Sequence, residues 1–309
     1  MSCMARLIPA TVVSTLLATS VSFADPSALT ISTGGGTIHV RIPDGDYNVS
    51  RDDITAWIRK AAHAVTTYYG RFPVSHLDVE ISSRPGNDIG GRTYGWKFTV
   101  VSPLGRQVDP SDLGHDWVMT HEMIHMAFPD VPDDQDWIKE GLSTYVERIA
   151  RAQIGDRDVP AMWDDLMRKI PQGLPAPGDR GLDHTHTWGR TYWGGAMFCL
   201  LADVRIREHT QNRYGLEDAL RAIVDAGGTL DHQWSIEHAF RIGDDAVGVP
   251  VLMDLYDRMK DRPYTPDLDA LWRRLGVIST GDGVRLDDDA PLASVRQAIT
   301  AGPAATMTR

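Results

Sequence analysis

Two imidazoles and a carboxylate stand together at His121-Glu122-Met123-Ile124-His125. On a helix, residues four apart share a face with their Cβ atoms about 6 Å apart, so both rings can reach one metal ion. Glu122 then flanks the place where a water would meet that metal. A catalytic zinc takes three protein ligands and keeps its fourth position open, so a third donor is expected downstream. Fourteen residues separate His125 from Glu140, which lies in the run Asp136 to Glu147. That run predicts a helix with Trp137, Ile138, Leu142, Tyr145 and Ile149 turned inward. Gly141 costs such a helix about 1 kcal/mol relative to Ala, which is reasonable where a second helix must come close. The bland readings are two surface histidines on an amphipathic helix and a solvated Glu140. The joint occurrence of motif and third donor favours one Zn²⁺ held by His121, His125 and Glu140, with Glu122 as general base and acid for hydrolysis.

Other residues are candidates for the surroundings of that centre. Glu147, seven residues beyond Glu140, shares its helical face and is expected to accept from the free ring nitrogen of a ligand histidine; Thr144 is a second candidate. His184-Thr185-His186 has no third ligand near it and reads as cleft lining or surface. Trp188 and Trp193 flank Tyr192 and are candidates to wall a substrate pocket. Gly34-Gly35-Gly36 is a turn, because it lacks the Gly-Lys-Ser/Thr ending of a phosphate loop.

The elements that position these residues can be read in outline. Met1 and Arg6 precede an apolar run from Leu7 to Val21, and Ser22-Phe23-Ala24 has the small residues of a cleavage site, so residues 1–24 read as a secretory signal. The expected locations are periplasmic or secreted. Cys3 would leave with that signal, and Cys199 would remain as a buried apolar residue. Residues 25–50 alternate as a β-hairpin; Asp52 and Asp53 open a helix that Gly70 closes; strands are expected at Leu77 to Ile81 and Thr93 to Val101. Helices are expected at Ser111 to Phe128, Asp136 to Ile154, Met162 to Ile170 and Tyr192 to Arg207, with Pro171 to Gly181 as a loop able to form a rim or lid. The fold class is α+β: a small β-rich lobe, a catalytic domain over 51–190, a helical subdomain over 191–279 and a tail over 280–309.

Composition bounds the function. With 309 residues and 42% hydrophobic content the chain can bury a core. Its 31 Lys plus Arg against 42 Asp plus Glu give −11, which argues against nucleic acid as a partner. After residue 24 nothing approaches about 18 uninterrupted apolar residues, so stable membrane insertion is not expected.

His121-Glu122-x-x-His125 followed by Trp137-Ile138-Lys139-Glu140-Gly141-Leu142-Ser143-Thr144-Tyr145-Val146-Glu147 resembles the gluzincin metallopeptidases. The nearest match is the glycyl aminopeptidase family, related to aminopeptidase N. Tyr192-Trp193-Gly194-Gly195-Ala196 is similar to that clan's Tyr-x-Lys-Gly-Ala helix start, with Gly194 in place of the usual Lys. The resemblance covers about residues 90 to 278. It implies a thermolysin-like catalytic domain with zinc at the junction of sheet and helices, and Tyr192 as the hydroxyl that stabilises the oxyanion.

Related aminopeptidases carry a glutamate for the substrate's free amine on a Gly-rich edge strand. Here the corresponding stretch, Gly90-Gly91-Arg92-Thr93-Tyr94-Gly95-Trp96-Lys97, has no carboxylate. Gly91, Arg92, Thr93 and Tyr94 are the candidate substrate-binding residues. Arg92 or Lys97 would repel an ammonium group, so internal cleavage or selection of acidic peptides is expected. The alternatives are an aminopeptidase with another amine anchor, such as Asp183, and a zinc-retaining scaffold without turnover. The expected partner is a peptide or protein substrate; the oligomeric state is not readable.

Overall fold

The computed structural model describes residues 27–301, so the expected signal at 1–24 and the last eight residues lie outside it. The hairpin is present as β1 (Ala28–Thr33) and β2 (Gly36–Arg41), paired antiparallel from Ala28 opposite Arg41 to Thr33 opposite Gly36. It is not a separate segment. The chain crosses through α1 (Arg51–Tyr69) to β3 (His76–Arg84), which pairs in parallel with β2. The start of α1 is fixed by a reciprocal cap, Ser50 accepting from the Asp53 amide while Asp53 accepts from the Ser50 amide, and its end by Gly70 at φ 76°.

The strand expected over Thr93 to Val101 is two strands. Gly95–Lys97 form a 3₁₀ turn and Phe98 takes φ 44°, so the chain reverses between β4 (Arg92–Tyr94) and β5 (Thr99–Gly105). β5 pairs in parallel with β3, and β4 lies antiparallel at the edge, giving the order β1-β2-β3-β5-β4.

The helix expected over Ser111 to Phe128 is also broken. α2 (Pro110–His115) is capped by Asp109, and α3 (Val118–Ile124) starts afresh and tightens into a 3₁₀ turn at His125–Ala127. The break is made by Asp116, whose backbone is extended (φ −62°, ψ 141°). Its carboxylate accepts from the Met119 amide at 3.2 Å and from the Trp57 indole of α1 at 2.9 Å. Capping at Asp116 therefore outweighs continuation of the apolar period.

α4 (Asp136–Gln153) is the central helix; Trp137, Ile138, Leu142, Tyr145 and Ile149 are all buried, as the periodicity predicts. After α5 (Val159–Lys169), the Pro/Gly-rich stretch is pinned rather than free. Arg190, itself buried, donates to the Gly173 carbonyl at 2.5 Å and pairs with Asp179 at 2.7 Å. Residues Gly189–Gly194 form a wide π turn that runs into α6 (Gly195–Thr210). Cys199 is buried there, as expected.

Four helices follow: α7 (Leu216–Asp225), α8 (Ile236–Val247), α9 (Val251–Met259) and α10 (Leu268–Leu275). The boundary expected at residue 279 is crossed by a two-stranded hairpin of β6 (Val277–Ser279) and β7 (Val284–Leu286). The expected tail folds back as α11 (Ala293–Thr300), with Val295 and Ile299 buried. Arg296, 2% exposed, donates to the Leu275, Gly276 and Asp287 carbonyls and so closes the C-terminal region onto the body. The architecture is α+β, with the sheet at the N-terminal side and helices after it.

Candidate metal centre and cleft

α3 presents His121 and the following 3₁₀ turn presents His125, while α4 brings Glu140 across to both. The Glu140 Oε2 atom lies 3.1 Å from His121 Nε2 and 3.7 Å from His125 Nε2. One ligand atom from each of the three residues falls within 4.8 Å of the others. Tetrahedral zinc with bonds of about 2.0–2.1 Å separates its ligands by roughly 3.3 Å, so this donor set fits that ion. Burial, and then the neighbouring His121, push the His125 imidazole down to about 3, which keeps it neutral and able to ligate at ordinary pH. Burial alone would raise the Glu140 carboxyl, but a hydrogen bond from His121 and the two imidazoles hold it below its ordinary value.

Glu122 faces the edge strand. Thr93 Oγ1 donates to Glu122 Oε2 at 2.6 Å and also lies 2.9 Å from its backbone carbonyl. Gly91 is packed so closely that a Cβ there would come within 2.5 Å of Glu122 Cγ. Burial raises the Glu122 carboxyl above its ordinary value, against the hydrogen bond from Thr93. A carboxylate raised in this way is suited to take a proton and give it back.

Glu147 does not serve the ligand histidines. It is fully buried, pairs with Arg148 at 2.5 Å and lies 3.7 Å from Arg151. The side chain beside His125 Nδ1 is Ser143, at 3.3 Å, and His121 Nδ1 is buried without a hydrogen-bond partner. Neither Thr144 nor Glu147 takes the role expected of them. Ser143 was missed although, three residues after Glu140, it lies on the same helical face as Thr144 and Glu147, a spacing that could have found it.

Tyr192 comes from the π turn and stands over the centre. Its ring is stacked on His121 with centroids 6.3 Å apart, and Trp188 stacks on it at 5.8 Å. Burial and the Glu140 carboxylate raise its phenol to about 12, so it stays a proton donor at neutral pH. The close approach implied by Gly141 is also present: a Cβ there would lie 2.2 Å from the Gly195 Cα, where α4 crosses α6.

A cleft of about 600 Å³ opens over these groups. Gly91, Arg92 and Thr93 line it, whereas Tyr94 lies outside it beneath the Arg92 guanidinium at 5.4 Å. Lys97 does not line it and covers the exposed Trp96 ring instead. Two further charges in the cleft were missed: Lys139, paired with Asp130 at 2.8 Å, and Asp136, paired with Lys139 at 2.9 Å. Asp183 is no cleft group; it is buried and accepts from the Trp137 indole and the Tyr256 hydroxyl, each at 2.7 Å. His184 is at the surface, 3.0 Å from Asp261.

No family model matches the chain, and no curated protein does. Solved structures do. An aminopeptidase N family protein from Idiomarina loihiensis is similar at a TM-score of 0.62 and 15% identity, over 81% of this chain and 49% of that one. An M1 zinc metallopeptidase mutant from Deinococcus radiodurans gives 0.50 and 18%, over 77% and 53%. A two-domain M1 zinc metallopeptidase mutant bound to L-arginine gives 0.50 and 18%, over 77% and 52%. The chain thus spans about half the length of these structures. In fold, it is similar to the aminopeptidase N-type M1 zinc metallopeptidases.

Proposed function

We propose that this protein is a zinc-dependent peptidase. The observation that carries the reading is the convergence of His121, His125 and Glu140 in a cleft that also holds Glu122. Those three residues would hold the ion, which when bound supplies Lewis-acid polarisation of a carbonyl and acidifies water. Glu122 takes the proton of the attacking water and passes it to the leaving amine. Tyr192 keeps its proton and donates a hydrogen bond to the oxygen that gains charge. Export belongs to the same reading and is supported by the apolar run and small residues ahead of Asp25.

Incubation of the zinc-loaded protein with a proteome-derived peptide library, with every new terminus read by mass spectrometry, tests the activity. Absence of any new terminus would leave the scaffold reading in its place.

Tyr192→Phe keeps the ring and removes only the hydroxyl. The expected result is a fall in kcat of about 10²-fold, with zinc content and Tm unchanged. An unaltered kcat would reduce Tyr192 to a packing role.

End specificity is the finer part of the reading. Arg92 and Lys139 line the cleft, and among the described residues the one carboxylate lining it besides those of Glu122 and Glu140 is that of Asp136. We infer a peptidase that does not require a free N-terminus, because Asp136 is already engaged by Lys139. Peptides differing only in N-terminal acetylation are expected to be cut at similar rates. The second reading, an aminopeptidase anchored by Asp136, is favoured by that residue's place in the cleft. It predicts stepwise release of single residues, blocked by acetylation and weakened by Asp136→Asn.

A further inference from the structure

Behind Tyr192 lies a second cavity, of about 190 Å³, that shares the Tyr192 and Trp117 walls with the main cleft. Trp117 meets the His121 ring edge-on at 5.3 Å, so the wall between the cavity and the metal centre is one side chain thick. The space holds the equivalent of about six waters, room for a short side chain. Trp117 and Trp188 at its border are 45% and 62% exposed.

The lining is positively charged. It contains Arg148, Arg157 and Lys169 against the single carboxylate of Asp165. Asp165 is shared among all three, at 2.7 Å from Arg148, 3.4 Å from Arg157 and 2.8 Å from Lys169. Including the ion pairs directly behind the wall, where Glu147 and Asp156 meet Arg151 and Lys60, still leaves two positive charges in excess. Two donors there also lack acceptors. The indole Nε1 of Trp193, a residue only 4% exposed, and Arg157 Nε are buried without a hydrogen-bond partner. Arg148 and Lys169 lie over the same Trp193 ring at 4.8 and 5.7 Å, which holds both cations in place.

Unpaired buried donors beside surplus cations call for an acceptor-only, negatively charged group. We propose that this cavity is a specificity subsite for a carboxylate of the bound peptide. The carboxylate has two sources, an Asp or Glu side chain close to the bond being cut or the peptide's own C-terminus. Ion pairing among the lining residues alone would explain Asp165 but not the charge excess or the two orphaned donors.

The proposal rests on the peptidase reading, and the test separates the two. Binding is measured by calorimetry on zinc-loaded Glu122→Gln protein, and hydrolysis on the unsubstituted enzyme. The probes are C-terminally amidated peptides with one Glu or Gln, and neutral peptides with a free or amidated C-terminus. Glu over Gln, or free acid over amide, is expected by about tenfold or more. In Arg157→Gln/Lys169→Gln protein the preference should fall to about twofold, with the neutral peptides bound as before and Tm held. Arg92→Gln should leave the preference in place. Equal binding of charged and neutral peptides, or a preference lost with Arg92 and kept without Arg157 and Lys169, overturns the subsite. Hydrolysis without discrimination would sink the subsite and keep the peptidase. Discriminating binding with no hydrolysis would keep the subsite and sink the peptidase.

Discussion

Glu122→Ala is expected to lower kcat/KM by about 10²–10⁴-fold while the protein still binds one zinc per chain. The dissociation of the two effects follows from the geometry. The three ligand atoms belong to His121, His125 and Glu140, and none of them is held by Glu122. The side chain that Glu122 does engage is Thr93, on the edge strand. A buried carboxyl raised above its ordinary value costs the folded protein stability, so its removal should leave Tm unchanged or higher. Metal analysis, a melting curve and steady-state rates on the same preparation check all three. Undiminished hydrolysis by Glu122→Ala would overturn the assignment of the proton to this residue.

Gly141→Ala should be severe, although the same change usually helps a helix. In an exposed helix interior, Ala in place of Gly gains about 1 kcal/mol. Here the new methyl would meet main-chain atoms of Gly195 and Ala196 at 2.2 to 2.7 Å, and backbone cannot rotate away as a side chain could. Forcing α4 and α6 apart should cost about 3 kcal/mol or more and lower Tm by about 5 °C or more. The residue just ahead of the contact is Glu140, and the turn opposite carries Tyr192, so zinc affinity and kcat should fall together. Gly114→Ala is the control, because a Cβ there meets nothing within 4 Å; it should be neutral or slightly stabilising. A Gly141→Ala protein as stable as the unsubstituted one would remove the close crossing from the account.

The parts of this architecture that were legible are those in which local chemistry and burial agree. The helix carrying Glu140 shows the inward period of Trp137, Ile138, Leu142, Tyr145 and Ile149, and its Gly141 marks the crossing before any partner is known. Two breaks were hidden. Asp116 interrupts the metal helix because it caps against Met119 while taking a hydrogen bond from Trp57, and the second partner is 59 positions away in the chain. The Gly95 turn, which makes β4 an edge strand, depends on packing against Leu230, which is more remote still. Around the candidate metal site, the residues that could hold an ion were readable from spacing, but their supports were not. Glu147 has the right helical face for a ligand histidine and is claimed by Arg148, a competition that spacing alone does not reveal. The charged cavity behind Tyr192 is assembled from α4, α5 and the π turn, so no single stretch of sequence announces it.

The wide turn at Gly189–Gly194 has an angular consequence. A regular helix advances about 100° per residue, and a π turn holds one residue more than that winding allows. If the chain wound regularly from Trp188 to Thr210, residues ahead of Gly195 would sit at a different azimuth from the one observed. The aromatic ring now stacked on His121 would be swung around the axis by up to one such step. The irregularity therefore works as a phase shift: α6 keeps the orientation that its core contacts demand, and the turn before it keeps a separate orientation toward the metal. Helix packing and site geometry can in this way be adjusted independently, at the expense of a few weaker backbone hydrogen bonds.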